Sequence, residues 1–271
     1  MKTSNHLLRR LTAALLAAVL ALSIALPVFA SDDGDTIYIN SVSDLLSLAR
    51  SCAYDQWSVG KTVILQKDLS LEGMLWEPIP SFSGQFKGSG HTISDLTITG
   101  QYSPAGLFGI VEEQGSIESL SVRGVVSVSD SADTTTGGIV GINHGTLISC
   151  QFTGVVTGDS EVGGIVGRNE SEGTIDHSTA RAIVTGKSST GGIAGYNLGA
   201  ITGCTNVGSI NTEYPEASLD TDGFTAKMVD YINNKMAAAD NDATNSVTNV
   251  ATDTGGIAGR SSGMILTSVN T

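Results

Sequence analysis

From residue 106 onward the hydrophobic positions recur in short bursts, each two to four residues long and each bracketed by glycine or a polar turn. Five bursts share one phrase: Gly106-Leu107-Phe108-Gly109, Gly138-Ile139-Val140-Gly141, Gly164-Ile165-Val166-Gly167, Gly192-Ile193-Ala194-Gly195 and Gly256-Ile257-Ala258-Gly259. They begin 32, 26, 28 and 64 residues apart. A repeat in the high twenties predicts stacked structural units. The second unit shows three strand-length parts: Gly138-Ile139-Val140, Leu147 to Phe152, and Val155-Val156-Thr157. Three short strands in a coil of this length predict a right-handed parallel β-helix, an all-β fold. Like strands of successive coils then lie about 4.8 Å apart, with side chains alternating between core and solvent.

Differences in coil length fall in one place. From the first Gly of the phrase to a later turn Gly there are seven positions in the second, fourth and fifth units (Gly145, Gly199, Gly263) and nine in the first and third (Gly115, Gly173). The longer turns carry Glu112 and Glu113, and Glu170 and Glu172. Such turns predict outward loops that leave the strand registers intact. Alignment also predicts internal ladders. Asn143, Asn169 and Asn197 share one turn, where Asn tolerates a left-handed backbone and stacked amides bond along the axis. Leu120, Cys150, Ser178, Cys204 and Ser268 share an inward position. Cys150 and Cys204 would lie two coils apart, beyond disulfide reach, as buried unpaired thiols.

Upstream of the repeats, Ile37-Tyr38-Ile39 reads as a strand. Residues 44–51 read as a short helix with Ser43 at its N-cap, Asp44 in its first turn and an apolar stripe of Leu45, Leu46, Leu48 and Ala49. Residues 31–60 are thus a lead-in and cap that covers exposed backbone at the mouth of the stack. Coils occupy 61–210. Trp76 and Phe82 are expected as core near the capped end, in preference to a sugar-stacking platform. The long step before the fifth phrase contains an insertion, residues 211–253. Within it Asp220 to Ala239 reads as a helix, with Phe224, Met228, Tyr231, Ile232 and Met236 on one stripe. Residues 254–271 form a further, incomplete coil, which suggests a fragment of a longer protein or an end covered by a partner.

Lys2, Arg9 and Arg10, the apolar run Leu11 to Ala25, and Val28-Phe29-Ala30 read as a secretory signal peptide over residues 1–30, cleaved before Ser31. Its loss would move the formal charge from −13 to −16. So acidic a chain is a poor partner for nucleic acid or an anionic membrane, and no second apolar segment approaches spanning length. Three cysteines are too few for a disulfide-stapled secreted domain.

Little in the chain signals chemistry. His6, His91, His144 and His177 are scattered, and there is no zinc-type His-Glu-x-x-His, nucleophile elbow or phosphate loop. The turn after the third strand carries Asp130 and Asp133, Asp159 and Glu161, then Lys187. Stacked carboxylates beside a Lys could serve acid/base cleavage of a polysaccharide, but neither turn length nor residue type repeats. A solvated turn is the expectation, and no catalytic, cofactor-binding or metal residue is assigned.

Gly-Gly-Ile-Val-Gly-x-Asn followed by Gly-x-Leu/Ile-x-x-Cys, as at 137–150 and 191–204, resembles the GLUG-motif repeat of bacterial surface proteins over residues 106–210 and 255–270. Phe86-x-Gly88-x-Gly90-His91-Thr92-Ile93 is similar to the segment preceding such repeats. The resemblance implies an extracellular β-helical stalk or adhesin-like segment, often in Gram-positive gut bacteria. The repeats also accompany immunoglobulin-A-cleaving metallopeptidases outside their catalytic domain, but without the zinc motif no peptidase activity carries over. A Leu-Pro-x-Thr-Gly wall-sorting signal is not present. The expected function is a secreted or cell-surface structural or adhesive module without catalysis, meeting a host or cell-wall glycan or protein. The alternatives are a carbohydrate-binding or polysaccharide-cleaving β-helix protein, and a noncatalytic segment of a larger surface peptidase.

Overall fold

The computed structural model describes residues 35–54, 56–128, 134–211 and 252–271. The expected signal peptide, the insertion helix and Asp130 and Asp133 lie outside the described residues. The rest is a parallel β-helix whose strands stack into four sheets, called here faces A to D. In the second coil the chain passes through Thr135–Gly137 (face D), Val140–Asn143 (face C), Thr146–Ile148 (face A) and Gln151–Thr157 (face B). Face A holds eight strands, from Thr36–Ile39 to Met264–Leu266, and every neighbouring pair is parallel. Registers hold from coil to coil: Val140 pairs with Phe108 and Val166, Leu147 with Ile117 and Ile175, and Val156 with Val126 and Val184.

The strands begin and end where local backbone demands it, not where the hydrophobic bursts do. Gly138-Ile139, read as the start of a strand, instead turns a buried corner between faces D and C. The stretch Leu147 to Phe152 is split by Ser149, whose φ of 53° turns the chain from face A to face B. Ser119 (φ 53°) and His177 (φ 45°) do the same in the neighbouring coils. Conversely, Val155-Val156-Thr157 is continuous with Gln151, and from the second coil a short fourth strand precedes the phrase.

At the N-terminal end, the helix Val42–Ser51 packs against Thr36–Ile39 and Ile79–Phe82, burying Leu45 and Leu48. Its N-cap is Ser41, not Ser43. The Ser41 Oγ accepts from the Asp44 N–H at 3.2 Å, while Asp44 Oδ2 accepts from the Asn40 N–H at 2.9 Å. These reciprocal bonds satisfy the Asp44 N–H of the first turn and the Asn40 N–H just before the cap, two residues earlier than the apolar stripe indicated. Beneath the cap, Phe82, Phe86 and Phe108 form an aromatic cluster with ring centroids 5.4 to 6.3 Å apart. Trp76 is buried as expected, its indole N–H donating to the Leu107 carbonyl at 3.1 Å. That bond removes the polar cost of burying the ring.

Both predicted ladders exist. Asn143, Asn169 and Asn197 are fully buried, and each Nδ2 donates to the next Oδ1 at 2.8 Å, from Asn143 to Asn169 and from Asn169 to Asn197. Each also donates to its own turn carbonyl, at Gly145, Gly173 and Gly199. The first coil has Val111 at this position, so the ladder loses its next donor there and Asn143 Oδ1 is buried without a partner. Leu120, Cys150, Ser178 and Cys204 all point inward, and Ser268 is half-buried on the last coil. Here the small polar side chain supports the corner: the Ser178 Oγ accepts from the Cys150 N–H at 3.1 Å, and Ser268 does the same for Cys204 at 3.2 Å.

Cys52, Cys150 and Cys204 are free, buried thiols. Burial pushes Cys52 and Cys150 up to about 12 and Cys204 up to about 11, against smaller opposing hydrogen bonds. The fold thus favours the neutral thiol. Stability from these groups is full below about pH 8.5, the ordinary thiol value, and is lost as pH rises through the folded values. Thermal melts between pH 8 and pH 11 should show a steeper decline for the native chain than for the variant Cys150→Ser/Cys204→Ser. Ser178 already shows that the column accepts serine.

Candidate functional site

A charged network lies where faces D and C meet the corner before face A, in the third coil. Arg168 projects from Val166–Asn169 and bridges two carboxylates: Nη1 reaches Glu161 Oε1 at 2.7 Å and Nε reaches Glu170 Oε1 at 2.6 Å. Glu161 Oε2 also accepts from the Thr135 hydroxyl at 3.2 Å. Burial opposes the guanidinium charge, but the Glu170 hydrogen bond and the charges of Glu161 and Glu170 outweigh it and raise the pKa. On the other side, Arg168 Cζ lies 4.9 Å from the centre of the Tyr196 ring, and Arg260 Cζ lies 5.4 Å from it. The three residues occupy one register row on face C, Arg168 beside Tyr196 beside Arg260, continuing the row Ser81, Ile110, Ile142. A guanidinium–ring–guanidinium stack on adjacent strands fixes three long side chains against one another.

Sequence reasoning missed this row. Its signal was available, since Ile110, Ile142, Arg168, Tyr196 and Arg260 all stand four residues after the first Gly of their phrase. The row changes chemical type from coil to coil, so it does not stand out as a repeat.

The acidic turn residues do not converge. Asp159 Oδ1 pairs with Lys187 Nζ at 2.5 Å, while Glu161 turns the other way, toward Arg168. Both carboxylates are engaged by cations, and they do not face each other across a shared substrate position. The two longer turns sit where predicted, at the corner between faces C and A. Two extra residues intervene between Val111 and Ser116, and between Asn169 and Thr174, relative to Asn143 and Thr146. Glu113 and Glu172 are exposed, whereas Glu112 accepts from the Ser81 hydroxyl at 2.7 Å and Glu170 holds Arg168. Of the histidines, His91 Nδ1 faces Asp68 at 3.2 Å and His177 Nδ1 faces Asp176 at 2.8 Å. Among the described residues no group of three or more His, Cys, Asp or Glu is placed to hold a metal ion.

The turns are separable from the stack. Replacing Glu170-Ser171-Glu172 by the single residue of the fourth coil's turn, Asn197-Leu198-Gly199, should change stability by no more than about 1 kcal/mol. Circular dichroism and thermal melting would check this. Loss of the folded spectrum would contradict it.

The family described as the GLUG motif matches residues 158–185, the third coil's face D strand through its face B strand. Residues 158–185 thus carry a GLUG motif. Two curated proteins are similar to part of this chain. Halomucin of Haloquadratum walsbyi is 31% identical over 155 residues, covering 52% of this chain and 2% of halomucin. A protein of Evansella cellulosilytica, provisionally named a Gly-rich membrane protein, is 28% identical over 137 residues, covering 36% of this chain and 16% of that protein. The chain therefore spans only a small part of either relative. A crystal structure provisionally titled an immunoglobulin A1 protease from Bacteroides ovatus aligns over 66% of this chain and 68% of its own at 17% identity, with a TM-score of 0.45. Among the described residues, no helix is long and apolar enough to cross a membrane.

Proposed function

We propose that this GLUG chain is an extracellular, surface-associated β-helical module that presents rigid lateral faces to a partner and performs no catalysis of its own. The observation that supports this most is the division of labour between columns. Inward positions are committed to ladders and core, while the carboxylates that could have served catalysis are engaged with Lys187 and Arg168. What remains variable is outward, as on a scaffold whose use lies in its surface. The similarity to a protein named halomucin and to one named as a Gly-rich membrane protein supports a place at the cell envelope.

The test is to label intact cells with an antibody against the β-helix and to sequence the N-terminus of the native protein. Surface labelling, with a mature chain beginning at Ser31, is expected. Protein confined inside intact cells, with Met1 retained, would overturn the reading.

A further inference from the structure

Face B is basic over its middle coils. The strands Ser121–Val128, Gln151–Thr157, Thr179–Thr185, Thr205–Asn206 and Ser209–Ile210 contain no Asp or Glu, in a chain with 27 acidic and 14 basic residues, and the preceding face B strand, Thr92–Gly100, holds one acidic residue, Asp95, whose Oδ2 accepts from the Ser70 and Ser94 hydroxyls. Two arginines stand on it. Register places Arg123, Thr153 and Arg181 side by side on consecutive coils. Both arginines are exposed, while Thr153 between them is buried, so the two guanidinium groups flank a gap floored by a short side chain. Neither makes an ion pair among the described residues, in contrast to Arg168. The longer-range charge of Arg123 acts on Asp68, whose carboxylate is already held by the Thr92 N–H and His91. Beside them runs a half-exposed polar row, Ser121, Gln151 and Thr179.

We propose that this strip binds a linear acidic glycan lying along the helix axis, with Arg123 and Arg181 each taking a carboxylate and the Ser121–Gln151–Thr179 row meeting sugar hydroxyls. Two coils separate the arginines by about 9.6 Å, close to the advance of two sugars in an extended chain, so carboxylates on alternate sugars meet both. A guanidinium suits a carboxylate because its planar fork can donate two parallel hydrogen bonds. The protein's overall negative charge does not forbid this, since exposed charges farther away than about 8–10 Å are largely screened at physiological salt. The proposal rests on the surface reading only for where such a glycan is met.

Native electrophoresis of the full chain through gels containing polygalacturonate tests it without reference to location. Polygalacturonate is expected to retard the native chain at low salt, with the effect fading as salt rises, and a neutral glucan is expected to leave mobility unchanged. Arg123→Ala and Arg181→Ala should each weaken retardation. The double variant Arg123→Glu/Arg181→Glu should weaken it at least about tenfold, with an unchanged melting curve because both residues are exposed. No retardation of the native chain, or equal retardation of the double variant, would overturn the proposal. Retardation by poly-glutamate as strong as by polygalacturonate would overturn the assignment to a glycan in favour of an acidic protein.

Discussion

Replacing Asn169 by leucine should lower the stability of the β-helix by about 3 kcal/mol. Asn169 is the middle rung of the amide ladder and fully buried. Its loss removes the side-chain amide donor to Asn197 Oδ1, the Gly173 carbonyl's bond from that amide, and the Asn143 amide's acceptor across the coil. Asn143 keeps its bond to the Gly145 carbonyl, so the greater harm falls on the C-terminal side, at Asn197. Each buried polar group left unpaired costs about 1–3 kcal/mol, and the added leucine volume has no cavity to fill. For a domain of this size the melting temperature should fall by roughly 6–12 °C. Asn169→Asp should be at least as damaging, because it buries an acceptor-only carboxylate where donors are needed. Calorimetry would decide. A change of less than a few degrees in either variant would show that the ladder is incidental to the stack.

The second large effect is expected at Gly154. This residue sits in the middle of the long face B strand with φ of 155°, and a Cβ added there would overlap the carbonyl oxygen of Gly124 on the preceding coil. That obstacle is backbone, held by the parallel ladder on both sides. Gly154→Ala should therefore either cost about 3 kcal/mol or more through forced backbone movement, or leave the chain insoluble. The same register position in the next coil is Ala182, buried and accommodated without the positive φ. Ala182→Gly should be mild, about 1 kcal/mol. Expression yield and melting temperature of the two variants separate them. Equal tolerance would mean that the strand relaxes at Gly154 without strain.

These two positions mark what the sequence could and could not disclose. The Asn column and the Cys/Ser column were legible because a buried polar residue needs the same partners in every coil, so residue type repeats along with position. The longer turns at Glu112–Glu113 and Glu170–Glu172 were legible for the opposite reason, since an outward loop can lengthen while the flanking registers stay. Strand limits were hidden. Ser149 changes the chain's direction by backbone conformation, which hydrophobic alternation does not report. Gly138-Ile139 is as buried at a corner as it would be in a strand. The N-cap was misplaced by two residues because Ser41 and Ser43 are both acceptable caps. Only the partnership of Asp44 with Asn40 and Ser41 distinguishes them. The outward rows, Arg168–Tyr196–Arg260 and Arg123–Thr153–Arg181, needed the register itself, because their residue types vary.

Function follows from that same register, so the register is the claim to test first. Thr146 and Thr174 are paired on face A, and Ala200 is the partner of Thr174 one coil further. With cysteine at Thr146 and Thr174, the Cα atoms stand about 4.8 Å apart, inside the window for a disulfide. With cysteine at Thr146 and Ala200, the separation is twice that and outside it. Mild oxidation of the folded protein, followed by non-reducing mass analysis, should link Thr146→Cys/Thr174→Cys and leave Thr146→Cys/Ala200→Cys as free thiols. The reverse outcome would contradict the stacked coils on which every site assignment rests.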